Sequence, residues 1–297
     1  MRDWCDAPWR TRLLRRLRFP PVLVRPLAAV SPRWAELSDD LVYWKRVRGE
    51  VDAAEWRRLS SSYSVLVYHR FAGELKPGQE RIDISPQRFR RQLRALRLLG
   101  FRPLAPQQIL AFHRGEGEIP HRSFVLTVDD ATADCVEPLR RAAGSSPQLF
   151  VPTAELGKSA HWIDGEPVAD WEEVEELAAA GVVIGSHTRH HRRLSELPPA
   201  EREIELAGSL AELGERLPQS LPVIAYPNGD HDDAVCAAAK AAGYELGFTT
   251  LKGRNGAATD PYRLRRVSIH GADGALAAIW KVVTGEGLPQ IWLRLRR

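Results

Sequence analysis

The sequence contains few cysteines and no long hydrophobic run. Its three cysteines, Cys5, Cys135 and Cys236, are odd in number and far apart, which argues against a disulfide framework and against a cysteine-based zinc site. We therefore expect a reducing, cytoplasmic compartment. The apolar stretch that follows the basic N-terminal residues, 19–30, is interrupted by prolines and by Arg25 and is too short to span a bilayer. It predicts neither a signal peptide nor a transmembrane helix.

The sequence also lacks a concentrated basic patch of the kind that binds nucleic acid. Its net charge of +4 comes from an excess of arginine near the two ends of the chain, so no nucleic-acid partner is expected. In residues 1–60, Trp4 and Trp9 alternate with arginines, a pattern that fits docking on the chain's own domain, on another protein or on an anionic membrane. We favour docking on the domain. A peripheral association with the inner face of the membrane or with a glycosyltransferase stays open.

No internal repeat or low-complexity tract divides the chain, but its character changes at a run of serines that ends at residue 62. Residues 1–60 are predicted to form an N-terminal helical extension. Residues 61–297 alternate apolar segments rich in β-branched residues with segments of helical periodicity. This alternation predicts an α/β domain with a parallel sheet or barrel, in which the active site lies at the C-terminal ends of the strands.

Two adjacent carboxylates, Asp129 and Asp130, end the predicted strand 123–130. Such a pair is unfavourable unless a cation or a proton offsets the charge. In one interpretation both residues cap the helix that follows a turn. In the other, one carboxylate binds a metal ion and its neighbour acts as a base. This segment alone leaves both interpretations open.

A group of histidines follows a second predicted strand, in the segment GSHTRHH. His187 and His191 are four residues apart, so on a helical turn their rings would share one face, and His190 is a competing ligand. Two imidazoles with a distant carboxylate are a common way to hold a divalent ion. A basic surface turn is the alternative, because arginines surround these histidines. Metal binding is favoured because this segment and the carboxylate pair both follow buried strands and so share one face of the sheet.

A third segment, AYPNG at residues 225–229, is by itself only a turn signal. Together with LTVDD and GSHTRHH, in this order, it resembles the polysaccharide deacetylase family, the carbohydrate esterase family 4-like proteins with a NodB homology domain. The resemblance covers residues from about 64 to about 270 and includes VLVYHRF, LFVPTAELG and AAGYELGFTT.

The resemblance implies a fold and an activity. The fold would be a distorted (β/α) barrel of the NodB type. The activity would be that of a metal-dependent hydrolase that removes N-acetyl groups from an N-acetylated sugar polymer or glycoconjugate. A carbohydrate O-deacetylase on the same fold and an inactive carbohydrate-binding homologue are the alternatives.

The resemblance also implies roles for individual residues. Asp129 would be the general base, and Asp130, His187 and His191 would bind a divalent metal ion. Zinc is the expected ion, although two histidines and one aspartate also accept cobalt, nickel or iron. A backbone N–H at Tyr226 would stabilise the oxyanion of the tetrahedral intermediate.

The catalytic acid and the substrate contacts follow less directly from the resemblance. His270, in RRVSIHG, falls roughly where the family has a late histidine, and His69, at a strand end, is a second candidate for the acid. Trp162 and Pro227 are expected to contact substrate, and Asp164 to line the same region. Aromatic faces stack on pyranose rings, which is the reason for the prediction at Trp162.

Some positions depart from the family pattern. Val128 replaces the usual Phe and Ala131 the usual Gly of the first motif, and both changes look tolerable. A larger departure is Ala225, because many relatives carry there an arginine that orients the base. Arg265 and Arg266 are the candidates to replace it.

Overall fold

The computed structural model describes residues 61–73 and 82–286 of the chain. The predicted extension, residues 1–60, lies outside the described residues, so its helical character and the domain boundary near residue 60 stay predictions. None of the helices in the described part of the chain is long and apolar enough to cross a membrane.

Strands and helices alternate along the described residues, which confirms the predicted α/β class. The strands are β1 (Ser62–Tyr68), β2 (Arg102–Pro103), β3 (Ser123–Val128), β4 (Gln148–Val151), β5 (Ser159–Ala160), β6 (Glu166–Pro167), β7 (Val183–Ser186), β8 (Val223–Ala225), β9 (Leu246–Phe248), β10 (Asn255–Gly256) and β11 (Val267–Ser268). The α-helices are α1 (Pro86–Leu98), α2 (Pro106–Arg114), α3 (Val136–Ala142), α4 (Trp171–Ala179), α5 (Pro199–Arg216), α6 (Asp233–Ala241) and α7 (Ala275–Thr284).

The helix boundaries follow from local sequence signals. Helix α1 begins after Ser85, whose side chain accepts the N–H of Arg88 at 3.3 Å, and has Pro86 at its first position. Helix α2 ends at Gly115, which adopts a left-handed φ of 74°.

A parallel sheet organises the domain. Its strand order is β11, β1, β3, β4, β7, β8, β9, and all of these pairings are parallel. β2 also pairs with the start of β3, and β10 pairs with β1 in the antiparallel sense. Because the strands run in one direction, the residues that follow them gather at one edge, the C-terminal edge of the sheet.

One segment, residues 264–269, closes the sheet into a barrel. Leu264 forms a parallel bridge with Phe248 of β9. A few residues later, Val267 and Ser268 of β11 pair with β1. Strands β9 and β1 are therefore joined through one continuous piece of chain. This closure gives the distorted (β/α) barrel that the family resemblance implies.

Alternating side chains fill the barrel and cover its outside. On β8, Val223 and Ala225 join the interior cluster. Ile224, and Tyr226 directly after the strand, pack outward with residues of α5 and α6. On β7 the interior position is Gly185, where a Cβ would lie 2.8 Å from the nearest side-chain atoms. The other strand residues of the interior cluster, with Leu264, are Tyr63, Val65, Val125, Phe150, Leu246 and Phe248.

Candidate metal centre and catalytic residues

The predicted chemical groups lie at the C-terminal edge of the sheet. Asp129 and Asp130 follow β3, and His187 follows β7. Asp130 and Ala131 adopt left-handed φ values of 70° and 51°, so the chain turns immediately after Asp129. Non-glycine residues in this conformation are strained, and such strain is often found at functional sites.

Asp130, His187 and His191 form a buried cluster of ligand atoms. Oδ1 of Asp130 lies 3.1 Å from Nε2 of His191 and 3.5 Å from Nε2 of His187. One ligand atom of each residue lies within 4.8 Å of those of the other two. One carboxylate and two imidazoles suit a divalent transition metal. The structure thus brings together the three predicted ligands, and this donor set fits a metal ion such as zinc.

A backbone contact determines which nitrogen of His187 faces the cluster. Nδ1 of His187 lies 2.7 Å from the carbonyl oxygen of Ala225. Because a carbonyl only accepts, Nδ1 carries a proton, and Nε2 is the nitrogen that faces Asp130. A histidine that binds a metal requires this arrangement, with its other nitrogen held by a hydrogen bond. Ala225 therefore contributes to the site through its backbone.

His187 and His191 do not share a helical turn, so the predicted helical geometry is wrong. The chain after β7 is an irregular loop in which Thr188 and His191 have left-handed φ values of 66° and 56°. This loop brings the two imidazole rings to a centroid distance of 4.8 Å. The competing residue, His190, turns away, and its Nδ1 donates to Oε1 of Glu205 at 2.8 Å. His191 is therefore the second imidazole of the cluster.

Trp162, in the turn between β5 and β6, contacts two members of the cluster. Its indole N–H donates to Oδ1 of Asp130 at 3.0 Å. Its ring stacks on that of His191, with centroids 4.4 Å apart and planes inclined by 13°. The sequence predicts a substrate contact for Trp162, but His191 covers one of its faces. Stacking on a sugar stays a prediction for the opposite face, as does the role of Asp164, which turns this hairpin with a φ of 47°.

Asp129 points into the barrel, where Arg266 binds it. Nη1 and Nη2 of Arg266 donate to Oδ1 and Oδ2 of Asp129, both at 2.7 Å. Arg266 is only 2% exposed, and its Nε donates to the carbonyl of Thr249, so the guanidinium plane is fixed. Arg266 thus takes the place of the arginine that relatives carry at the position of Ala225. The other candidate, Arg265, is exposed.

Both carboxylates are ionised at neutral pH. Burial alone would raise the pKa of Asp129, but Arg266 and His187 more than offset burial and hold this pKa below its ordinary value. Burial opposes ionisation of Asp130 too, but hydrogen bonds with His187 and His191 keep its pKa well below the ordinary range. Burial would lower the pKa of His187, whereas Asp130 and Asp129 raise it above its ordinary value. The site therefore favours a positive charge between these groups, which a divalent cation would supply.

The turn after β8 differs from the prediction. The backbone N–H of Tyr226 donates to the carbonyl of Phe248 at 3.0 Å, as part of the pairing of β8 with β9, so its predicted role as oxyanion donor is wrong. Pro227 has no N–H and is buried, so the predicted substrate contact of Pro227 is not supported. The turn instead exposes Asn228, which has a left-handed φ of 58°.

The two candidates for the acid lie at the same edge of the sheet. The parallel register of β3, β1 and β11 places His69 between Asp129 and His270. Nδ1 of His69 is buried and has no hydrogen-bond partner among the described residues. The charge of His69 also helps to lower the pKa of Asp129 and of Asp130.

Comparison with known proteins identifies relatives. Residues 117–247 match the family model described as polysaccharide deacetylase, in agreement with the resemblance predicted from the sequence. The protein YxkH of Bacillus subtilis (strain 168) is 24% identical over 225 residues, which cover 74% of this chain and 76% of YxkH.

Two solved structures of similar fold each cover about three quarters of this chain. The deacetylase PplD of Streptococcus pyogenes, solved in complex with acetate, superimposes with a TM-score of 0.63 and 22% identity over 75% of this chain and 98% of PplD. IcaB from Ammonifex degensii gives a TM-score of 0.64 and 24% identity over 74% of this chain and 97% of IcaB. At these identities the similarity is one of fold, and it confirms the predicted barrel.

Proposed function

We propose a function from the premise that this chain carries a domain of the polysaccharide deacetylase family, matched over residues 117–247. The family supports a hydrolase that acts on acetyl groups. The proposal goes further in naming a metal-dependent enzyme that removes N-acetyl groups from an N-acetylated sugar polymer or glycoconjugate. Zinc is the ion that we expect at Asp130, His187 and His191.

The observation that carries this proposal is that two carboxylates adjacent in sequence have different partners. Asp130 faces His187 and His191, whereas Asp129 is bound by Arg266. One carboxylate is therefore suited to bind a cation, and its neighbour is suited to move a proton. When bound, a divalent ion lowers the pKa of a water molecule and polarises the acetyl carbonyl.

Asp129 is the general base of this proposal. Its lowered pKa keeps it ionised at neutral pH, so it can take the proton of the attacking water. Arg266 occupies one lone pair of each Asp129 carboxylate oxygen and leaves the other lone pair of each oxygen available. The guanidinium therefore orients the base without occupying its full capacity to accept a proton.

The backbone N–H of Asn228 replaces that of Tyr226 as the proposed oxyanion donor. In the turn after β8, the N–H groups of Gly229 and Asp230 donate to the carbonyls of Tyr226 and Pro227. None of the hydrogen bonds described for residues 82–286 uses the N–H of Asn228. An exposed main-chain donor at the C-terminal edge suits the developing negative charge of a tetrahedral intermediate.

His69 is the proposed general acid for the departing amine. Its support is the buried Nδ1 without a hydrogen-bond partner among the described residues, next to Asp129 in the sheet. His270 is the alternative, in a position where its backbone N–H donates to Asp273.

Separate His69→Gln and His270→Gln variants distinguish the two acids. The variant that loses the acid should hydrolyse an N-acetyl substrate about a hundredfold more slowly, because an amine leaves poorly without a proton. It should lose much less on p-nitrophenyl acetate, whose leaving group needs no acid. If only His270→Gln shows this pattern, His270 is the acid.

Two alternatives have distinct signatures. An O-deacetylase would release acetate faster from O-acetylated than from N-acetylated sugars, and an inactive homologue would bind carbohydrate without releasing acetate. The presence of Asp129, Asp130, His187 and His191 together favours catalysis. The acetate in the PplD structure corresponds to the product of either deacetylation. The cytoplasmic location and any association of residues 1–60 with a membrane or a glycosyltransferase stay predictions.

The test is acetate release by the purified protein before chelation, after it, and after addition of zinc, cobalt or nickel. N-acetylated chitooligosaccharides and peptidoglycan fragments are compared with O-acetylated xylan. We expect activity on an N-acetylated substrate that chelation abolishes and added metal restores. Activity that is unchanged by complete removal of metal would contradict the proposed mechanism.

A further inference from the structure

The loop after β7, which carries His191, is held by side chains as well as by backbone contacts, in which the carbonyls of Thr188 and Arg189 accept the N–H groups of Thr153 and Ala154 at 3.1 and 2.9 Å. All four backbone N–H groups from Thr188 to His191 donate to side-chain oxygens. The N–H of Thr188 donates to Oγ of Ser186 at 3.0 Å, and the N–H of His191 donates to Oγ1 of Thr188 at 3.1 Å. The two N–H groups between them donate to one carboxylate on helix α5.

That carboxylate belongs to Glu205, which is 2% exposed. Its Oε2 accepts the backbone N–H groups of Arg189 and His190, at 3.0 and 2.9 Å. Its Oε1 accepts from Nδ1 of His190 at 2.8 Å. Glu205 therefore satisfies three donors of one short loop from outside the barrel, and the hydrogen bonds offset the unfavourable burial of its charge.

The loop needs such support because its backbone is strained. Thr188 is β-branched and has a φ of 66°, and His191 has a φ of 56°. Residues held in sparsely populated regions cost on the order of 1–3 kcal/mol each and persist only where the surrounding contacts over-determine them. Without Glu205, two adjacent N–H groups would lose their acceptor in the middle of this strained segment.

We propose that Glu205 is a positioning residue for the metal ligand His191: by binding the Arg189 and His190 N–H groups, it fixes the loop conformation that turns the His191 imidazole toward Asp130. This inference rests on the proposed metal site. Glu205 touches neither metal nor substrate. It acts on metal affinity through the backbone of the loop.

The same helix offers a matched control. Glu205, Ser209 and Glu212 lie at helical spacing on the face of α5 that meets the loop, and Oγ of Ser209 lies 2.8 Å from Oγ of Ser186. Glu212 also contacts the loop, but through the side chain of Arg189, whose Nε donates to it at 2.9 Å. Removing Glu212 therefore disturbs the same helix and loop while the backbone N–H groups keep their acceptor.

The experiment measures the affinity of metal-free protein for Co²⁺ by titration, using the visible absorption of the bound ion, with the melting temperature of each metal-free variant measured alongside. Glu205→Ala should weaken Co²⁺ binding by about 10–100-fold, the usual scale for a residue that supports a metal ligand. Glu205→Gln should stay within a few-fold of wild type, because its amide oxygen can accept both backbone N–H groups and His190 can shift its ring proton to Nε2. Glu212→Ala should also stay within a few-fold.

The outcomes separate this inference from the proposed function. If wild-type protein does not bind Co²⁺, the proposed metal site itself fails, and the inference falls with it. If wild type binds and Glu205→Ala binds equally well, or if Glu205→Ala and Glu212→Ala weaken binding to the same extent, only the role of Glu205 is overturned. Should Glu205→Ala not fold, Glu205→Asp replaces it, because its shorter carboxylate should fold yet misplace the loop and weaken binding. An affinity of Glu205→Asp equal to that of wild type would contradict the inference.

Discussion

Asp129 and His191 reach the same edge of the barrel by different routes. Asp129 directly follows β3 and has the same parity along the strand as the interior residue Val125. Its side chain therefore points into the barrel, where Arg266 binds it. His191 lies at the end of an irregular loop with left-handed residues, supported from outside the barrel by α5. Regular strand geometry positions the base, whereas a few side-chain hydrogen bonds position the ligand. The base half of the site, Asp129 with Arg266, and the ligand half, Asp130 with His187 and His191, should therefore respond differently to mutation.

The largest expected difference separates the two neighbouring carboxylates. Asp129→Asn keeps the shape of the side chain, so metal content should stay near wild type while deacetylation falls on the order of a hundredfold or more, the scale of a lost general base. Asp130→Asn removes a charged ligand, so metal content and activity should fall together, and added metal should restore part of the activity. Metal analysis and acetate release measure both effects. Loss of metal in Asp129→Asn with retention in Asp130→Asn would reverse the two roles.

The next largest effect is on the free energy of unfolding, and it concerns Arg266 in the base half of the site. Arg266→Met leaves Asp129 buried without its partner, so the free energy of unfolding should fall by about 3–5 kcal/mol at neutral pH. Because the pKa of Asp129 is lowered in the folded protein, the contribution of this ion pair is present above the unfolded pKa and is lost as the pH falls through the folded pKa. The difference between wild type and variant should therefore shrink in acid.

Denaturant unfolding at several pH values measures this difference. The matched control is Arg265→Met, at the exposed neighbouring position, which should change stability by less than about 0.5 kcal/mol. Equal effects of the two substitutions would mean that the contact between Arg266 and Asp129 does not stabilise the fold.

A smaller change at the same position should appear in the pH dependence of hydrolysis. Arg266→Lys keeps a positive charge but loses the bidentate contact with Asp129. Lysine therefore offsets the effect of burial on the pKa of Asp129 less well than arginine does. The pKa of Asp129 should rise, and the acidic limb of kcat/KM should move to higher pH, because the base must be ionised to act. A limb that stays in place, or moves to lower pH, would exclude Asp129 as the base.

The smallest effect concerns the ligand half. Trp162→Phe keeps an aromatic ring to stack on His191 but loses the N–H that donates to Asp130. Metal affinity should fall about tenfold, at the lower end of the range for residues that support a ligand. Trp171→Phe is the control, because this tryptophan stacks with Arg216 on the outside of the domain. Unchanged affinity in Trp162→Phe would leave the stack on His191 as its sole contribution to the cluster.

The base half could be predicted from the sequence because its signals are local. The apolar strand that ends in two carboxylates predicted where Asp129 and Asp130 lie. The family resemblance, carried by the order of the motifs, implied their roles. The choice between Arg265 and Arg266 could not be made in this way. Leu264 and Val267 are both apolar but have opposite parity on an extended chain, so the alternation pattern does not tell which arginine faces inward. The pairing of this segment with β9 and then with β1 decides it.

The ligand half depends on long-range contacts that the sequence reveals poorly. The spacing of His187 and His191 predicted a helical turn, but tertiary hydrogen bonds from α5 hold a loop instead. The polar residues at positions 205, 209 and 212 were visible at helical spacing, yet a solvent-exposed face gives the same pattern. The wrong prediction at Tyr226 has a similar origin, because strand pairing with β9 uses its N–H.

The segment that closes the barrel also determines when Asp129 of a newly made chain gains its counter-ion. Residues 264–269 leave the ribosome after Asp129, Asp130, His187 and His191, and they deliver Arg266 to the base. A nascent chain that ends before them holds every proposed metal ligand but lacks the Arg266 guanidinium, which offsets the effect of burial on the pKa of Asp129. On the proposed function, hydrolysis would therefore require completion of the barrel as well as the metal ligands.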